Sequence, residues 1–249
     1  MSVIVKSDHE IEIMRQAGKI VAEVLQKLKS EVRAGITTRE LDAIALKEVT
    51  RRGATPSFKG YRGYPASICA SINEEIVHGI PDERVIKSGD IVSIDFGAIY
   101  NGFQGDAALT VGVGKLDPKS AELIETTEGA LGAGIAAVRE GARLGDVSNA
   151  IQEYVESRGF AVIREYTGHG IGREMHEDPQ IPNFGVAGQG LKLKKGMTLA
   201  LEPMVCVGDW RTTVSSNNWT VSTLDGGMAA HFEHTIAVTD GAARVLTSL

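Results

Sequence analysis

Apolar residues recur every three or four positions in the first part of the chain, which is the pattern of helices with one buried face. Ser7-Asp8-His9-Glu10 is a capping-box sequence, which predicts that a helix begins there. Its expected buried stripe is Ile11, Met14, Ala17, Val21, Val24, Leu25 and Leu28. Thr37-Thr38-Arg39-Glu40 repeats the capping signal, and Gly53 is placed to end the second helix. The second stripe is Leu41, Ile44, Ala45, Leu46 and Val49.

Two more helix starts and several strands follow. Asp117-Pro118 predicts a third helix, and Gly145-Asp146 precedes a fourth that ends near Gly159. The apolar runs 91–100 and 103–113 predict two strands joined by the hairpin dipeptide Asn101-Gly102. Residues 161–166, 198–207, 219–224 and 232–239 also have strand character.

The order of these elements repeats along the chain. Arg33-Ala34-Gly35 corresponds to Arg139-Glu140-Gly141, and segment 87–95 corresponds to segment 194–202, with a carboxylate at the end of each. We therefore expect one domain over residues 1–249, built from half-repeats at roughly 1–115 and 116–249. Because ligand pockets often lie where two units meet, a shared site is expected between the halves.

Composition narrows the classes of function. The chain has 249 residues, of which 43% are hydrophobic and 23% charged, as is usual for a soluble globular protein. A net charge of −6 gives no basic footprint for nucleic acid, and no apolar run approaches the ~18 residues of a membrane span. The amino-terminal sequence is charged too early for a signal peptide. Cys69 and Cys206 lie far apart, which favours a reducing compartment, so we expect a cytoplasmic protein.

Four acidic residues occur in segments that otherwise predict buried strands: Asp95, Asp106, Glu202 and Glu233. For any one of them, a solvent-facing or salt-bridged position is the more common explanation. Four at corresponding places in two half-repeats are different, because the halves would bring them together. Like charges in one buried site repel unless cations neutralise them. The pattern therefore indicates a metal site.

The histidines point to the same segments. His169 lies in the glycine-rich sequence Gly168-His169-Gly170, which favours a role as a ligand. His78 and His176 are compatible with substrate contact and equally with a structural role, whereas His9 and His234 are expected to be structural. Four carboxylates and one imidazole form a hard, oxygen-rich set that suits a pair of divalent ions and differs from a structural zinc site. A His-Glu-x-x-His helix, a Gly-x-Ser-x-Gly elbow and a Walker loop are all absent from the sequence.

Several ordered stretches resemble the type I methionine aminopeptidases over essentially the whole chain. They are residues 61–69, 73–81 and 89–106 in the first half, and 168–179, 196–204 and 233–235 in the second. The resemblance implies an α+β pita-bread fold, in which two pseudo-symmetric halves surround a central antiparallel sheet with helices on one face. It also implies a metal-dependent enzyme that removes the initiator methionine from nascent proteins whose second residue is small.

The resemblance implies a role for each matching residue. The metal ligands would be Asp95, Asp106, His169, Glu202 and Glu233, holding two divalent ions (Co, Mn, Fe or Zn) and a water or hydroxide that attacks the first peptide bond. Glu202 would also handle protons, and His78 and His176 would contact the substrate, with His176 near the scissile carbonyl.

The methionine pocket implied by the resemblance consists of Phe58, Tyr61, Tyr64, Cys69, Met175 and Trp219. For each residue, ordinary core packing is the alternative explanation. Three positions depart from the family pattern. Met175 replaces a frequent Phe, Thr167 a frequent Cys, and His231 a Gln or Glu. His231 is expected to tune the bridging Glu233 through a hydrogen bond.

Two other functions remain open. One is cleavage of X-Pro bonds, as in aminopeptidase P or prolidase, although those enzymes typically carry an extra amino-terminal domain for which 249 residues leave no room. The other is a non-enzymatic peptide-binding module, although such relatives have generally lost metal ligands. We expect nascent polypeptide amino termini as the partner, with transient ribosome contact and a monomeric chain. Ser2 is small, so the mature protein is expected to start there.

Overall fold

The computed structural model describes residues 3–249, so the predicted processing at Ser2 lies outside the described residues. Within that range the chain forms four α-helices and fifteen strands. The helices are α1 (Asp8–Glu31), α2 (Thr38–Arg51), α3 (Pro118–Ala137) and α4 (Leu144–Glu156). The strands are β1 (Thr55–Pro56), β2 (Cys69–Ile72), β3 (Glu75–Val77), β4 (Ile91–Tyr100), β5 (Phe103–Gly112), β6 (Ala161–Val162), β7 (Thr167–Gly170), β8 (Glu177–Pro182), β9 (Thr198–Leu201), β10 (Met204–Cys206), β11 (Thr212–Val214), β12 (Val221–Thr223), β13 (Ala229–His231), β14 (Glu233–Ala237) and β15 (Arg244–Val245).

The first three helices begin where the sequence predicts, whereas α4 begins at Leu144, so Gly145 and Asp146 lie inside its first turn. Ser7 Oγ accepts a hydrogen bond from the Glu10 backbone N–H at 3.3 Å, and the Glu10 carboxylate accepts one from the Ser7 backbone N–H at 3.0 Å. All seven residues of the predicted α1 stripe are buried. Asp117 caps α3 in the same manner, by accepting from backbone N–H groups of its first turn. Gly53 follows α2 with a φ of +72°, so the predicted helix end is also confirmed.

A nine-stranded antiparallel sheet forms the centre of the described chain. Its main path runs β1–β4–β5–β14–β9–β7–β8, with β2 on β4 and β15 on β14. Strands β4 and β5 form the predicted hairpin, in which Asn101 and Gly102 both have positive φ. The first half contributes β4 and β5, and the second half contributes β14, β9, β7 and β8. The pairing of β5 with β14 therefore joins the two halves into one sheet.

Each half places its pair of helices against its own part of the sheet. Helices α1 and α2 pack on each other and, through Val21, Leu25 and Leu41, bury the apolar face of β4. Helices α3 and α4 do the same for the second half, where Leu131 and Ile151 pack near Leu199. This is the two-half α+β arrangement with a central antiparallel sheet that the sequence resemblance implies. None of the helices within residues 3–249 has the length and apolar character required to cross a bilayer.

Several predicted strand limits are wrong. Segment 161–166 contributes only the two residues of β6, and segment 219–224 contributes only β12. Segment 198–207 divides into β9 and β10 at Glu202-Pro203, because proline has no N–H to donate to a neighbouring strand. Three site-bearing or flanking strands, β2, β7 and β8, were not predicted, since they are short or rich in glycine and carry little apolar periodicity.

Candidate metal centre and adjoining pocket

The strand register brings the five predicted metal ligands to one face of the central sheet. Asp95 on β4 pairs with Ala108 on β5, and Ala108 pairs in turn with Glu233 on β14. His234 pairs with Leu201, so Glu202, which directly follows β9, continues the line beside Glu233. Side chains alternate along a strand, so positions two residues from this line face the same side.

The same alternation places the two remaining ligands. Asp106 lies two residues before Ala108 on β5. His169 on β7 pairs with Ala200, which lies two residues before Glu202. Ligand atoms of Asp106, His169 and Glu233 all lie within 4.8 Å of one another. The structure therefore brings together all five residues that the sequence predicts to hold metal.

Among residues 3–249, no lysine or arginine compensates the carboxyl groups of this cluster. Burial, with further repulsion from neighbouring carboxylates, raises the pKa of Asp95, Glu202 and Glu233 well above the ordinary values. Burial raises the pKa of Asp106 to about 7. Burial of the charged form and repulsion between like charges both act in this direction.

Three carboxylate oxygens in the cluster have no hydrogen-bond partner among the described residues: Asp95 Oδ1, Asp106 Oδ1 and Glu233 Oε1. Buried polar atoms are usually satisfied by hydrogen bonds, so unpartnered oxygens that converge on one point are typical of a cation site. Carboxylate oxygens with one imidazole nitrogen are a donor set that Mn, Fe, Co and Zn accept. The residues present therefore fit divalent metal.

His169 is oriented for metal binding. Its Nδ1 lies 2.9 Å from the Gly170 carbonyl, which can only accept, so Nδ1 carries the proton and Nε2 has a free lone pair. Nε2 lies 3.6 Å from Glu202 Oε1. Burial lowers the pKa of His169 to about 3, so the ring is neutral, as a metal ligand requires.

The hydrogen bond predicted from His231 to Glu233 is not formed. Both ring nitrogens of His231 are buried and without a hydrogen-bond partner among residues 3–249. His231 pairs with Met204 in the β10–β13 register, and this carries its ring toward Glu202, with Nε2 at 3.8 Å from Glu202 Oε2. The acid nearest to His231 is thus Glu202 and not Glu233, because the strand interruption at Phe232 separates β13 from β14.

A cavity of about 160 Å³ opens onto the cluster. Its apolar lining contains every predicted pocket residue, namely Phe58, Tyr61, Tyr64, Cys69, Met175 and Trp219. The Tyr64 side chain is fixed in place, because its hydroxyl hydrogen is shared between the carbonyls of Ile68 and Gly79. Cys69 pairs with Asp95 across β2 and β4, which places this pocket residue directly beside one of the clustered acids.

His78 and His176 both line this cavity. The ring of His176 lies 4.2 Å from that of His169 between centroids, and its Nδ1 lies 2.8 Å from the Tyr61 hydroxyl. His78 adopts a φ of +61°, a left-handed conformation that is rare outside glycine and often found at functional sites. Burial, together with the charge of His176, lowers the pKa of His78 to about 4.

Sequence reasoning missed Arg62, which also lines the cavity. It lies within the stretch of residues that carries the family resemblance, but a lone arginine between glycine and tyrosines gave no chemical signal. Its backbone has a φ of +49°, and its charge contributes to the lowered pKa of His176, for which burial is the larger cause. Thr167, the departure noted at the start of β7, pairs with Pro182 and faces an adjoining groove.

The buried acids and the single imidazole, together with a small apolar pocket, define a metallopeptidase type of site. Residues 12–240 match the sequence model of metallopeptidase family M24. The chain belongs to metallopeptidase family M24 and, within it, to the methionine aminopeptidases.

Individual relatives agree with this assignment over their whole length. The chain is 53% identical to a methionine aminopeptidase of Clostridium acetobutylicum, with 98% of each chain covered. It is 51% identical to methionine aminopeptidase 1 of Bacillus subtilis, with 98% of this chain and 99% of the relative covered. A crystal structure of methionine aminopeptidase from Thermotoga maritima superposes with a TM-score of 0.98 at 49% identity, over the full length of both chains.

A second class of neighbour shares the fold less closely. A prolidase from Pyrococcus furiosus superposes with a TM-score of 0.81 at 25% identity, and the match covers 99% of this chain but 66% of the prolidase. The common part is therefore the catalytic fold, and the prolidase has additional chain outside it.

Proposed function

We propose that this chain removes the amino-terminal methionine from nascent polypeptides whose second residue is small. One observation carries the proposal: the buried acid cluster lines the same cavity of about 160 Å³ as a set of apolar and aromatic side chains, and this volume suits one side chain. The names of the full-length relatives support methionine as that side chain. The preference for a small second residue rests on the sequence resemblance.

We assign two divalent ions to the cluster, held by Asp95, Asp106, His169, Glu202 and Glu233. When bound, such ions lower the pKa of water and polarise a carbonyl, so hydroxide becomes available near neutral pH. The unpartnered oxygens of Asp95, Asp106 and Glu233 support this assignment. Co, Mn, Fe and Zn all satisfy this donor set, and the choice among them in the cell depends also on supply.

The protein residues around the cluster handle the proton and the carbonyl. Glu202 lies at the cavity wall, where its carboxylate can accept a proton from the attacking water and pass it to the leaving amine. The Tyr61 hydroxyl can donate to His176 Nδ1, which leaves Nε2–H to donate to the scissile carbonyl oxygen. His78, which also lines the cavity, is assigned to the substrate backbone. Both imidazoles have lowered pKa values and therefore act as neutral donors.

The rest of the peptide is assigned to a groove beside the pocket. This groove shares Arg62, His169 and His176 with the cavity, so the two are continuous at the position of the scissile bond. Only the first side chain is expected to fit the cavity of about 160 Å³, which would account for an exopeptidase. We further propose that residues 1–249 act as one catalytic domain and as a cytoplasmic monomer with transient ribosome contact.

Release of free methionine from Met-Ala-Ser tests the function, with hydrolysis of Ala-Pro as the measure of the prolidase alternative. We expect methionine release by the Mn²⁺-loaded protein, its loss on chelation and its recovery when Mn²⁺, Co²⁺ or Fe²⁺ is restored. Turnover that resists thorough chelation would contradict the metal assignment. Faster cleavage of Ala-Pro than of Met-Ala-Ser would replace the proposed function with the prolidase one.

Substitution of Glu202 tests its assigned role. Glu202→Gln removes the proton acceptor while keeping the side-chain size, so kcat should fall by at least about a hundredfold, consistent with general acid–base catalysis. The thermal unfolding temperature of the metal-free protein should change little. Retained turnover by Glu202→Gln would exclude this residue as the proton carrier.

A further inference from the structure

Within residues 3–7, which precede α1, the buried residue is the charged Lys6, and the apolar Val3 is only partly buried against the core. Ile4 and Val5 are 56% and 51% exposed, whereas Lys6 is buried. The Lys6 backbone N–H donates to the Gly196 carbonyl at 2.8 Å. Its ammonium donates to the Ile4 carbonyl at 3.2 Å and forms an ion pair with Glu177. Lys6 and the partly buried Val3 therefore hold residues 3–6 in place.

The ion pair between Lys6 and Glu177 is almost completely shielded from water, with 4% and 7% of the two side chains exposed. Taking both charges out of water costs free energy, so a buried pair of this kind contributes little net stability. Removing one partner alone is costly, because the other charge stays buried. The pair therefore defines a geometry more than it strengthens the fold.

The geometry it defines is that of the turn between β7 and β8. Glu177 Oε1 accepts hydrogen bonds from the backbone N–H groups of Arg173 at 3.0 Å and Glu174 at 3.4 Å, while Oε2 faces Lys6. One carboxylate thus closes the turn on itself and ties it to the amino-terminal segment. A Cβ at Gly172 would lie 2.4 Å from Glu177 Oε1 and 2.5 Å from Lys6 Cε, so the packing there leaves no free space.

This turn carries two residues of the proposed catalytic pocket. Met175 is 2% exposed and forms one pocket wall, and His176 precedes Glu177 directly. We infer that Lys6, through its buried ion pair with Glu177, is a positioning residue that fixes Met175 and His176 against the substrate. The inference rests on the proposed function and extends it to a residue outside the cavity. The segment that contains Lys6 would then help to support the pocket.

Neutral variants distinguish positioning from simple stabilisation. Lys6→Met alone leaves a buried carboxylate, so the informative protein is the double variant Lys6→Met/Glu177→Gln, in which both charges are absent. The glutamine carbonyl can still accept from Arg173 and Glu174, so the fold should be retained. Lys195→Met is the matched control, because Lys195 adjoins Gly196 but forms an exposed ion pair, with Asp240, at 50% and 71% side-chain exposure.

Two measurements are made on the Mn²⁺-loaded full chain. Hydrogen–deuterium exchange of residues 172–177 should be at least tenfold faster in the double variant than in the wild type, with exchange in β4 and β5 unchanged. The kcat/KM for Met-Ala-Ser should fall at least tenfold, because small displacements of positioning groups are expensive in rate. Lys195→Met should match the wild type in both.

The inference is overturned if the double variant shows wild-type exchange in the turn, or if its kcat/KM equals that of the wild type. It is equally overturned if Lys195→Met reproduces the changes. The exchange measurement does not depend on catalysis. A wild-type protein that released no methionine would thus contradict the proposed function while leaving the Lys6 anchor open to the same test.

Discussion

His231 has no hydrogen-bond partner inside the acid cluster, although only 1% of it is exposed. Burial, with a smaller effect of His78, lowers its pKa to about 3, so the ring is neutral and carries one N–H. The nearest carboxylate oxygen is Glu202 Oε2, at 3.8 Å. A small movement of Glu202 on metal binding would close this gap and orient the ligand.

Replacing His231 tests this arrangement through metal affinity. His231→Leu removes the N–H next to Glu202, and loss of such a partner typically weakens metal binding by about 10–100-fold. His231→Gln keeps a donor of similar reach, so its affinity should stay near that of the wild type. Calorimetric titration of the metal-free proteins with Mn²⁺ measures both. Equal affinity for the leucine variant and the wild type would show that His231 does not orient Glu202.

At the scale of elements, α1 lies so close to β5 and to Leu246 that two glycines are required. A Cβ at Gly105, which precedes Asp106 on β5, would lie 2.8 Å from the Gly18 backbone nitrogen. A Cβ at Gly18 would lie 2.3 Å from the Leu246 carbonyl oxygen. The helix is thus packed tightly against the strand that carries Asp106. Neither glycine could be foreseen from the spacing of apolar residues, because both contacts join segments that are distant in the sequence.

Gly18→Ala should destabilise the protein by about 1–3 kcal/mol, the usual cost of overpacking. The new Cβ would clash with backbone atoms of Leu246, which cannot move aside as a flexible side chain can. Gly132→Ala is the matched control within α3, because a Cβ there would meet nothing within 4 Å. This control should be neutral or should stabilise by about 0.5–1 kcal/mol, as expected for alanine over glycine in a helix. Urea denaturation of the two variants gives both values. A stable Gly18→Ala protein would disprove the close approach.

At the scale of the whole molecule, the clustered carboxyl groups repel one another when they are charged, and bound divalent metal would reduce that repulsion. The four carboxyl groups have pKa values raised above the unfolded ones, and for Asp106 the value is about 7. The folded metal-free chain therefore keeps protons that the unfolded chain has lost, so its free energy of unfolding falls as pH rises through the folded pKa. Buried histidines oppose this trend only below about pH 6.5, where the unfolded histidines bind protons.

The predicted consequence is a loss of thermal stability with rising pH that bound metal prevents. Between about pH 6.5 and 8 the metal-free protein should lose thermal stability, because its clustered carboxyl groups become charged. The Mn²⁺-loaded protein should not, since the ions neutralise those charges. Scanning calorimetry of both forms across this range measures the difference, and Asp106→Asn should make the metal-free slope shallower. Parallel curves for the two forms would contradict a metal site at this cluster.

The sequence by itself determined the helices, the β4–β5 hairpin and the identity of the clustered residues. These follow from local physics, because caps, the Asn101-Gly102 turn and the apolar stripes act between neighbours in the chain. The acids stood out as polar residues within apolar segments, and the resemblance supplied their expected roles.

The tertiary structure alone decided which atoms meet. Strand register across β4, β5, β14, β9 and β7 places Asp95, Glu233 and Glu202 in one line, and sequence spacing does not reveal such pairing. The turn of His231 toward Glu202 and the burial of Lys6 against Glu177 likewise depend on contacts between distant segments. Local sequence preferences select elements, whereas long-range packing selects register and neighbours, and the site consists of neighbours.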